Sequence, residues 1–584
     1  VNIHRTFLLL VAAAFSAFHL QAAPIKLEDL SLHDRIAQLI VVRGYGDFPL
    51  DSDAEYKNFR HWIEEDHVGG FIIAGRIRNG NVIPAQPFEM AEFINYTQAK
   101  SKVPLLVASD FERGASMRVA GTARFPYMMA FGAARDLSAV RELGLATARE
   151  ARALGVTWAF APDADVNNNP DNPVINIRSF GEDPQAVSDA VAAFIEGAHS
   201  DPANYILLSA KHFPGHGDTA EDSHMQLAKL SQSKERIEAV ELTPFRAAIA
   251  HGIDSIMTAH MAVPAFEPRP IPATVSHKIL TDLLRDELDF KGIIVTDAME
   301  MQGVAALYTP GEAAVRAVSA GADVLLMPTD PGACIEALEA AVKSGRISQE
   351  RIDTSVRRIL AAKERAGLFE ERYVKLDEIT SRLDATKLDV LAESVAERAI
   401  TLVKDEQHLF PLPAGASPCL VVLGEGPFPT RGETLAREFG RRSPGLKVFP
   451  ASSAMPDSLL AAFAAQTVSC KQIYVAAFVT VAANRGSVNL EGGLGGMLNA
   501  MIKGPAPVAL ISFGNPYLLK DFPGVAAYAA TFSTAVTSET AVAKAIAGEI
   551  AISGKMPVSI PGLARIGDGL SVPTRKANAS NGTE

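Results

Sequence analysis

Cysteine is nearly absent from this chain: Cys334, Cys419 and Cys470 are the three in 584 residues. They sit far apart and match no zinc-ligand spacing, which excludes a metal ribbon and leaves room for at most one disulfide. Beyond the N-terminus no apolar run of about 20 residues occurs, so stable membrane insertion through a spanning helix is not expected. Positive charge is also in deficit. The net charge of -12 argues against nucleic acid and anionic membrane surfaces as partners. Phosphate-cradling motifs are missing too. "GEGPFPTRG" (424–432) lacks G-x-G-x-x-G spacing and carries two prolines where a helix should start, and "EGGLGG" (491–496) has no Walker lysine. No cofactor is indicated.

What is present begins with an address. His4 and Arg5 precede the apolar run Phe7 to Phe18, and "HLQAAP" then offers small residues for cleavage near Ala22 or Ala23. This pattern predicts a signal peptide over 1–23 and an exported protein, periplasmic or secreted. No cysteine follows the run, so a lipid anchor is not expected. A hydrophobic share of 48% over this length supports two domains with substantial cores.

Eight short apolar runs alternate with helical patterns: "LIVV" (39–42), "FIIA" (71–74), "LLVASD" (105–110), "AFAPDAD" (159–165), "ILLSAKHF" (206–213), "SIMTAHM" (255–261), "IIVTDA" (293–298) and "VLLMP" (324–328). Eight βα repeats are the number that closes a (β/α)8 TIM-like barrel, predicted over 24–370; an open doubly wound sheet is the alternative. Asp110, Asp163, Asp165, Lys211, His212, His260 and Asp297 fall at or just after the C-terminal ends of these runs. In a barrel those ends converge on one mouth, where catalytic groups are placed. A linker over 371–398 leads to further apolar runs over 399–565, read as a smaller αβα sandwich. A polar tail, 566–584, ends the chain with two N-glycosylation sequons.

The densest chemistry lies in "KHFPGHGDTAEDSH", Lys211 to His224. His212 and His216 are four apart, but Pro214 and Gly215 break the helix that a two-histidine zinc motif requires, and its glutamate is absent. A loop metal site on Asp218, Asp222 and His224 is the weaker alternative. The stronger one is acid/base work, because Asp222 and His224 flank one serine and fall on the same side of an extended loop. A carboxylate beside an imidazole sets its tautomer and stabilises its cation.

"KHFPGHGDTAEDSH" and "VTDAMEM" (295–301), with "FGEDP" (180–184), "MTAH" (257–260), "ITLVKD" (400–405) and "GKMPVSIP" (554–561), resemble the family 3 glycoside hydrolases, in their β-N-acetylglucosaminidase branch. The resemblance covers about residues 30 to 562. It implies Asp297 as nucleophile, His224 as acid/base oriented by Asp222, and Asp110, Arg118, Arg178, Lys211 and His212 as ligands of the sugar hydroxyls and N-acetyl group, with no metal. It also implies a carbohydrate substrate, N-acetylglucosamine-containing glycans or muropeptides. One stretch departs: where the branch usually reads Asp-Gln-Glu-Gly-Gly, this chain has "DFERG" (110–114), with Phe111 and Arg113 replacing glutamine and glycine. The expected activity is retaining, exo-acting hydrolysis of terminal β-linked N-acetylglucosamine through a glycosyl-Asp intermediate. A phosphorylase using the same dyad, a β-glucosidase of the same family and a silent sugar-binding protein are the competing readings.

Overall fold

A computed structural model describes residues 25–78, 81–383, 385–413, 416–426, 430–481 and 485–575. The expected signal segment and the two sequons lie outside the described residues. All eight expected barrel strands are formed: β1 (Ile40–Gly44), β2 (Gly70–Ile73), β3 (Leu106–Ser109), β4 (Trp158–Ala159), β5 (Leu207–Phe213), β6 (Ser255–Thr258), β7 (Ile293–Thr296) and β8 (Leu325–Leu326). They are apolar on both faces because one face fills the barrel and the other packs under helices. Neighbours pair in parallel in chain order, β1 also pairs with β8, and a bridge between Val295 and Val324 joins the last two strands. The sheet therefore closes on itself, which excludes the open doubly wound alternative.

The second sheet is a six-stranded layer of β9 (Thr401–Asp405), β10 (Cys419–Gly424), β11 (Lys447–Ser452), β12 (Ile473–Val479), β13 (Val508–Gly514) and β14 (Ala527–Ala530), in the order β9-β14-β13-β12-β10-β11. All pairs are parallel except β9 with β14. Cys419, at the start of β10, is disulfide-bonded to Cys470, while Cys334 is buried and free.

Two sequence-based boundaries look different in three dimensions. Within 371–398, read as a linker, the helix Thr386–Ala399 buries Ala392 and Val395 in the barrel core and Ala396 in the sandwich core. Of the residues read as tail, Leu570 donates its amide to Leu402 of β9 and Val572 bridges Ile552, so this stretch is an edge of the sandwich.

The two domains meet along a built joint. Met129, Ala130 and Ala133, on the barrel-domain helix Met128–Ala134, belong to the sandwich core. Two motifs far apart in sequence also meet there: Glu182 of "FGEDP" accepts from the Ser559 amide of "GKMPVSIP" at 2.7 Å, and its own amide donates to the Pro557 carbonyl at 3.0 Å. Gly181 permits this contact, since a Cβ there would lie 2.6 Å from the Pro557 oxygen.

Candidate active site

Most of the groups at the barrel mouth come from strand ends. The register shift between Ala210 and Phe213 in the β5–β6 pairing lets two successive residues, Lys211 and His212, contact mouth groups, where a regular strand would send them to opposite faces. Lys211 Nζ lies 3.0 Å from Asp110 and 2.8 Å from Glu112. Asp110 is also held by Arg118 at 3.1 Å. Arg178 forms a two-pronged pair with Glu112, at 2.8 and 3.0 Å, and its Nε is 3.3 Å from Asp163. His212 pairs through Nδ1 with Asp165 at 2.8 Å, and its Nε2 lies 3.3 Å from Arg178. All five expected sugar ligands are therefore in one connected network.

Glu112, Asp163, Asp165, Lys211 and His212 are buried and Asp110, Arg118 and Arg178 partly so, and their charges depend on one another. Burial opposes ionisation of Asp110 and Glu112, but Lys211 with Arg118, and Arg178 with Lys211, respectively, outweigh it and hold both carboxyls below their usual range. Burial likewise disfavours charge on Lys211, and Asp110 and Glu112 reverse that and raise it. Asp163 is the exception: burial lifts its carboxyl to about 7 against the pull of Arg178. Among the described residues its two oxygens find no hydrogen-bond partner. Asp163, Asp165 and His212 lie close enough to share a cation, but Arg178 stands among them, so a metal would have to displace the guanidinium.

Asp297 follows β7 directly. Its amide donates to the Thr258 carbonyl at 3.1 Å, and its carboxylate accepts from the Ala298 amide at 2.8 Å. Burial would raise this carboxyl, yet the imidazoles of His212, His260 and His224 outweigh it and set it at about 2. It is ionised at any working pH. His260 braces the loop: Nε2 lies 3.0 Å from the Ala298 carbonyl, which can only accept, so Nδ1 takes the proton of Thr274 Oγ1 at 2.8 Å.

The two side chains of "DSH" are in contact. His224 Nδ1–H points to Asp222 Oδ1 at 2.8 Å, and the same oxygen accepts the His224 amide at 2.9 Å. The loop lies against the chain following Asp297, because Gln302 and Gly303 donate amides to the carbonyls of His224 and Ser223. His216, weighed above as a zinc ligand, is a strut instead. Its ring bridges Thr219 at 2.7 Å and Ser223 at 2.9 Å, and burial lowers its titration to about 4, keeping it neutral.

Sequence reasoning gave no role to Glu112, considered His216 only as a zinc ligand, and left Arg113 open between a surface charge and a substrate contact. Glu112 joins Lys211 to Arg178; the signal available was its place two residues after Asp110. Arg113 lies over the Tyr127 ring, 4.6 Å from its centroid, and the Tyr127 amide in turn donates to the Ser533 hydroxyl oxygen at 3.3 Å, so Arg113 faces the domain joint. In the sandwich, the glycine-rich stretch around Gly432 caps the helix Glu433–Arg442, and Glu539 accepts from the Leu435 amide at that helix start at 2.9 Å. The place a phosphate would take is thus engaged by a carboxylate.

A closed βα barrel whose mouth gathers an ionised aspartate, a carboxylate-oriented imidazole and a network of paired charges has the make-up of a barrel enzyme. The profile of the glycosyl hydrolase family 3 N-terminal domain matches residues 31–362, and the chain belongs to this family of glycoside hydrolases. A β-N-acetylglucosaminidase/β-glucosidase from Cellulomonas fimi is 31% identical over 424 residues, covering 69% of this chain and 72% of that protein. β-Hexosaminidase A from Pseudoalteromonas piscicida is 34% identical over 335 residues, covering 53% of this chain and 55% of that protein, so the match spans about half its length. Among solved structures, a family 3 β-N-acetylglucosaminidase from Paenibacillus sp. superimposes with a TM-score of 0.80 at 33% identity, over 91% of this chain and 99% of the other. A β-glucoside phosphorylase gives 0.78 at 26% identity, over 91% and 94%.

Proposed function

We propose that the protein is a retaining exo-β-N-acetylglucosaminidase acting on peptidoglycan or chitin-type fragments, and that the N-terminal segment directs its export. The observation that carries the mechanism is the 2.8 Å contact between His224 and Asp222 on a loop packed against the chain that follows Asp297. In the first step Asp297 attacks the anomeric carbon while His224 gives its proton to the departing oxygen, and Asp222 stabilises the imidazolium before transfer. In the second, His224 takes a proton from water as that water displaces Asp297, so the product keeps its configuration. The network of Asp110, Arg118, Lys211, Arg178 and His212 is preorganised to hold the terminal sugar, its charges already desolvated before the substrate arrives.

The N-acetyl preference is supported by the β-hexosaminidase and β-N-acetylglucosaminidase named above. Its test is a panel of aryl β-N-acetylglucosaminide, β-N-acetylgalactosaminide, β-glucoside and β-xyloside. The first should be cleaved fastest, and a dominant β-glucoside rate would overturn the substrate assignment. The β-glucoside phosphorylase among the structural neighbours supports a second reading, in which phosphate replaces water. Release of sugar 1-phosphate when phosphate is added would establish that reading; free sugar at an unchanged rate would remove it.

A further inference from the structure

Residues 110–127, between β3 and the helix Met128–Ala134, carry three members of the sugar network: Asp110, Glu112 and Arg118. A connection of that length seldom keeps one shape without outside support. The helical piece within it is a single 3-10 turn, Ala115–Met117, and Gly114 before it has no side chain to cap the free amides of the turn. On the outer side the stretch is clipped to Ala85, which donates its amide to the Arg118 carbonyl at 2.7 Å and accepts the Ala120 amide at 2.9 Å. On the inner side the support is a carboxyl group. Glu150, on the helix Leu137–Leu154, is buried on a face it shares with Leu143, Ala146, Thr147 and Leu154. Its Oε1 accepts the Ala123 amide at 3.2 Å, and the Ala115 amide, the first of the turn, also acts on its charge.

A carboxyl group at a core position of a helix is costly to desolvate. Burial raises Glu150 to about 7, the amides of Ala123 and Ala115 lower it, and the charge that acts on it, Asp389, is a second carboxylate that raises it again. The mechanism proposed above makes no use of this group, so its place is explained by the two amides it faces. From this placement, and resting on the function proposed above, we infer that Glu150 is a positioning residue for the sugar grip: by holding the amides of Ala115 and Ala123 it fixes the stretch from which Asp110, Glu112 and Arg118 reach the substrate. The connection runs most directly to Arg118. The amides of Arg118 and Val119 both donate to the Ala115 carbonyl at 2.9 Å, so the turn anchored at Ala115 sets where the Arg118 backbone lies, and Arg118 in turn holds Asp110 at 3.1 Å. Asp110 and Glu112 have further support from Lys211, on β5. Arg118 has no such second anchor from the barrel strands, which makes it the member that depends most on Glu150.

The test replaces the acceptor without opening a hole. Glu150→Met keeps the length of the side chain and meets apolar neighbours, so the variant should fold, while the two amides lose their partner. Its KM should rise about tenfold with kcat within about threefold of wild type, the pattern of lost binding common to ground and transition states. Glu150→Gln, which keeps one acceptor oxygen, should restore KM to within about threefold. In a chain already carrying Arg118→Ala, Glu150→Met should add less than about twofold, because two residues that act through one contact do not add. A wild-type KM in Glu150→Met, an equal loss in Glu150→Gln, or a full tenfold addition on the Arg118→Ala background would each overturn the role. So would a Glu150→Met chain that fails to fold, or one whose kcat falls at unchanged KM, since a smaller folded fraction lowers kcat alone and marks a purely structural part. The substrate is whichever aryl glycoside of the panel the wild type cleaves fastest, so an error in the sugar assignment shows in the wild type and an error about Glu150 only in the variants.

Discussion

The barrel and the sandwich are both layers of parallel strands under helices, yet they differ in where they bury charge. At the barrel mouth Glu112, Asp163, Asp165, Lys211 and His212 are all buried within one cluster of opposed charges. In the sandwich, β10, β12 and β13 are buried along their whole length with apolar side chains predominating, and a disulfide ties β10 to the turn before β12. Buried charge costs desolvation energy that pairing only partly returns. The barrel accepts that cost where chemistry needs fixed charges. The sandwich, whose central strands carry none, is free to be the stabilising partner.

Five sets of changes would break or sharpen this contrast. Asp297→Asn should have the largest effect, lowering turnover of every glycoside by at least about 10⁴-fold, because the proposed mechanism has no substitute for this carboxylate in forming the covalent intermediate. Steady-state rates on activated and natural substrates check this, and residual turnover of an aryl glycoside above about a thousandth of wild type would remove Asp297 from the role.

Next, His224→Gly should cost roughly 10² to 10⁴ on poor leaving groups but spare the first step with a dinitrophenyl glycoside. Added azide should then restore turnover and give a β-glycosyl azide; an α-azide would exclude the covalent intermediate. By contrast, Glu425→Gln and Glu491→Gln in the sandwich should leave leaving-group dependence unchanged. Both carboxylates pair with Arg485, at 2.7 and 2.9 Å, and serve that arginine.

Replacing Cys419 and Cys470 together by alanine opens a loop of 51 residues and should lower stability by on the order of 2 to 4 kcal/mol. Denaturant titration would show it, while kcat/KM at temperatures below the transition should not move. A matching loss of catalysis would mean that the sandwich contributes to the chemistry directly.

The smallest effect is a slope. Asp163 titrates at about 7 in the folded protein because of burial, against about 3.9 in an unfolded chain. Between those values the folded state holds a proton that the unfolded state has lost, so stability falls as pH rises from about 4 to 7 and is level above. Asp163→Asn should shrink the difference in melting temperature between pH 5 and pH 7.5. It should not abolish it, since Glu150, raised to about 7 by burial, contributes in the same sense. An unchanged difference would mean that Asp163 is ionised through this range.

What the sequence by itself determined is what local pattern can carry. Eight apolar runs of strand length, separated by helical periodicity, specify parallel βα units, because each strand must be apolar on both faces and each helix on one. Polar residues at the run ends foretell a mouth, and two side chains flanking one serine foretell a dyad, because i to i+2 geometry depends on the local backbone alone. The tertiary structure decided everything that joins distant positions. Glu112 meets Arg178 across 66 residues and Asp110 meets Lys211 across 101, and no periodicity records such a pairing. The shift in register that lets Lys211 and His212 both reach mouth groups depends on the neighbouring strand. The pairing of Cys419 with Cys470, the packing of Thr386–Ala399 between two cores and the meeting of Glu182 with Ser559 likewise exist only once two domains are closed on each other. Contacts of that range are set by which surfaces exclude water together, a property of the folded chain as a whole.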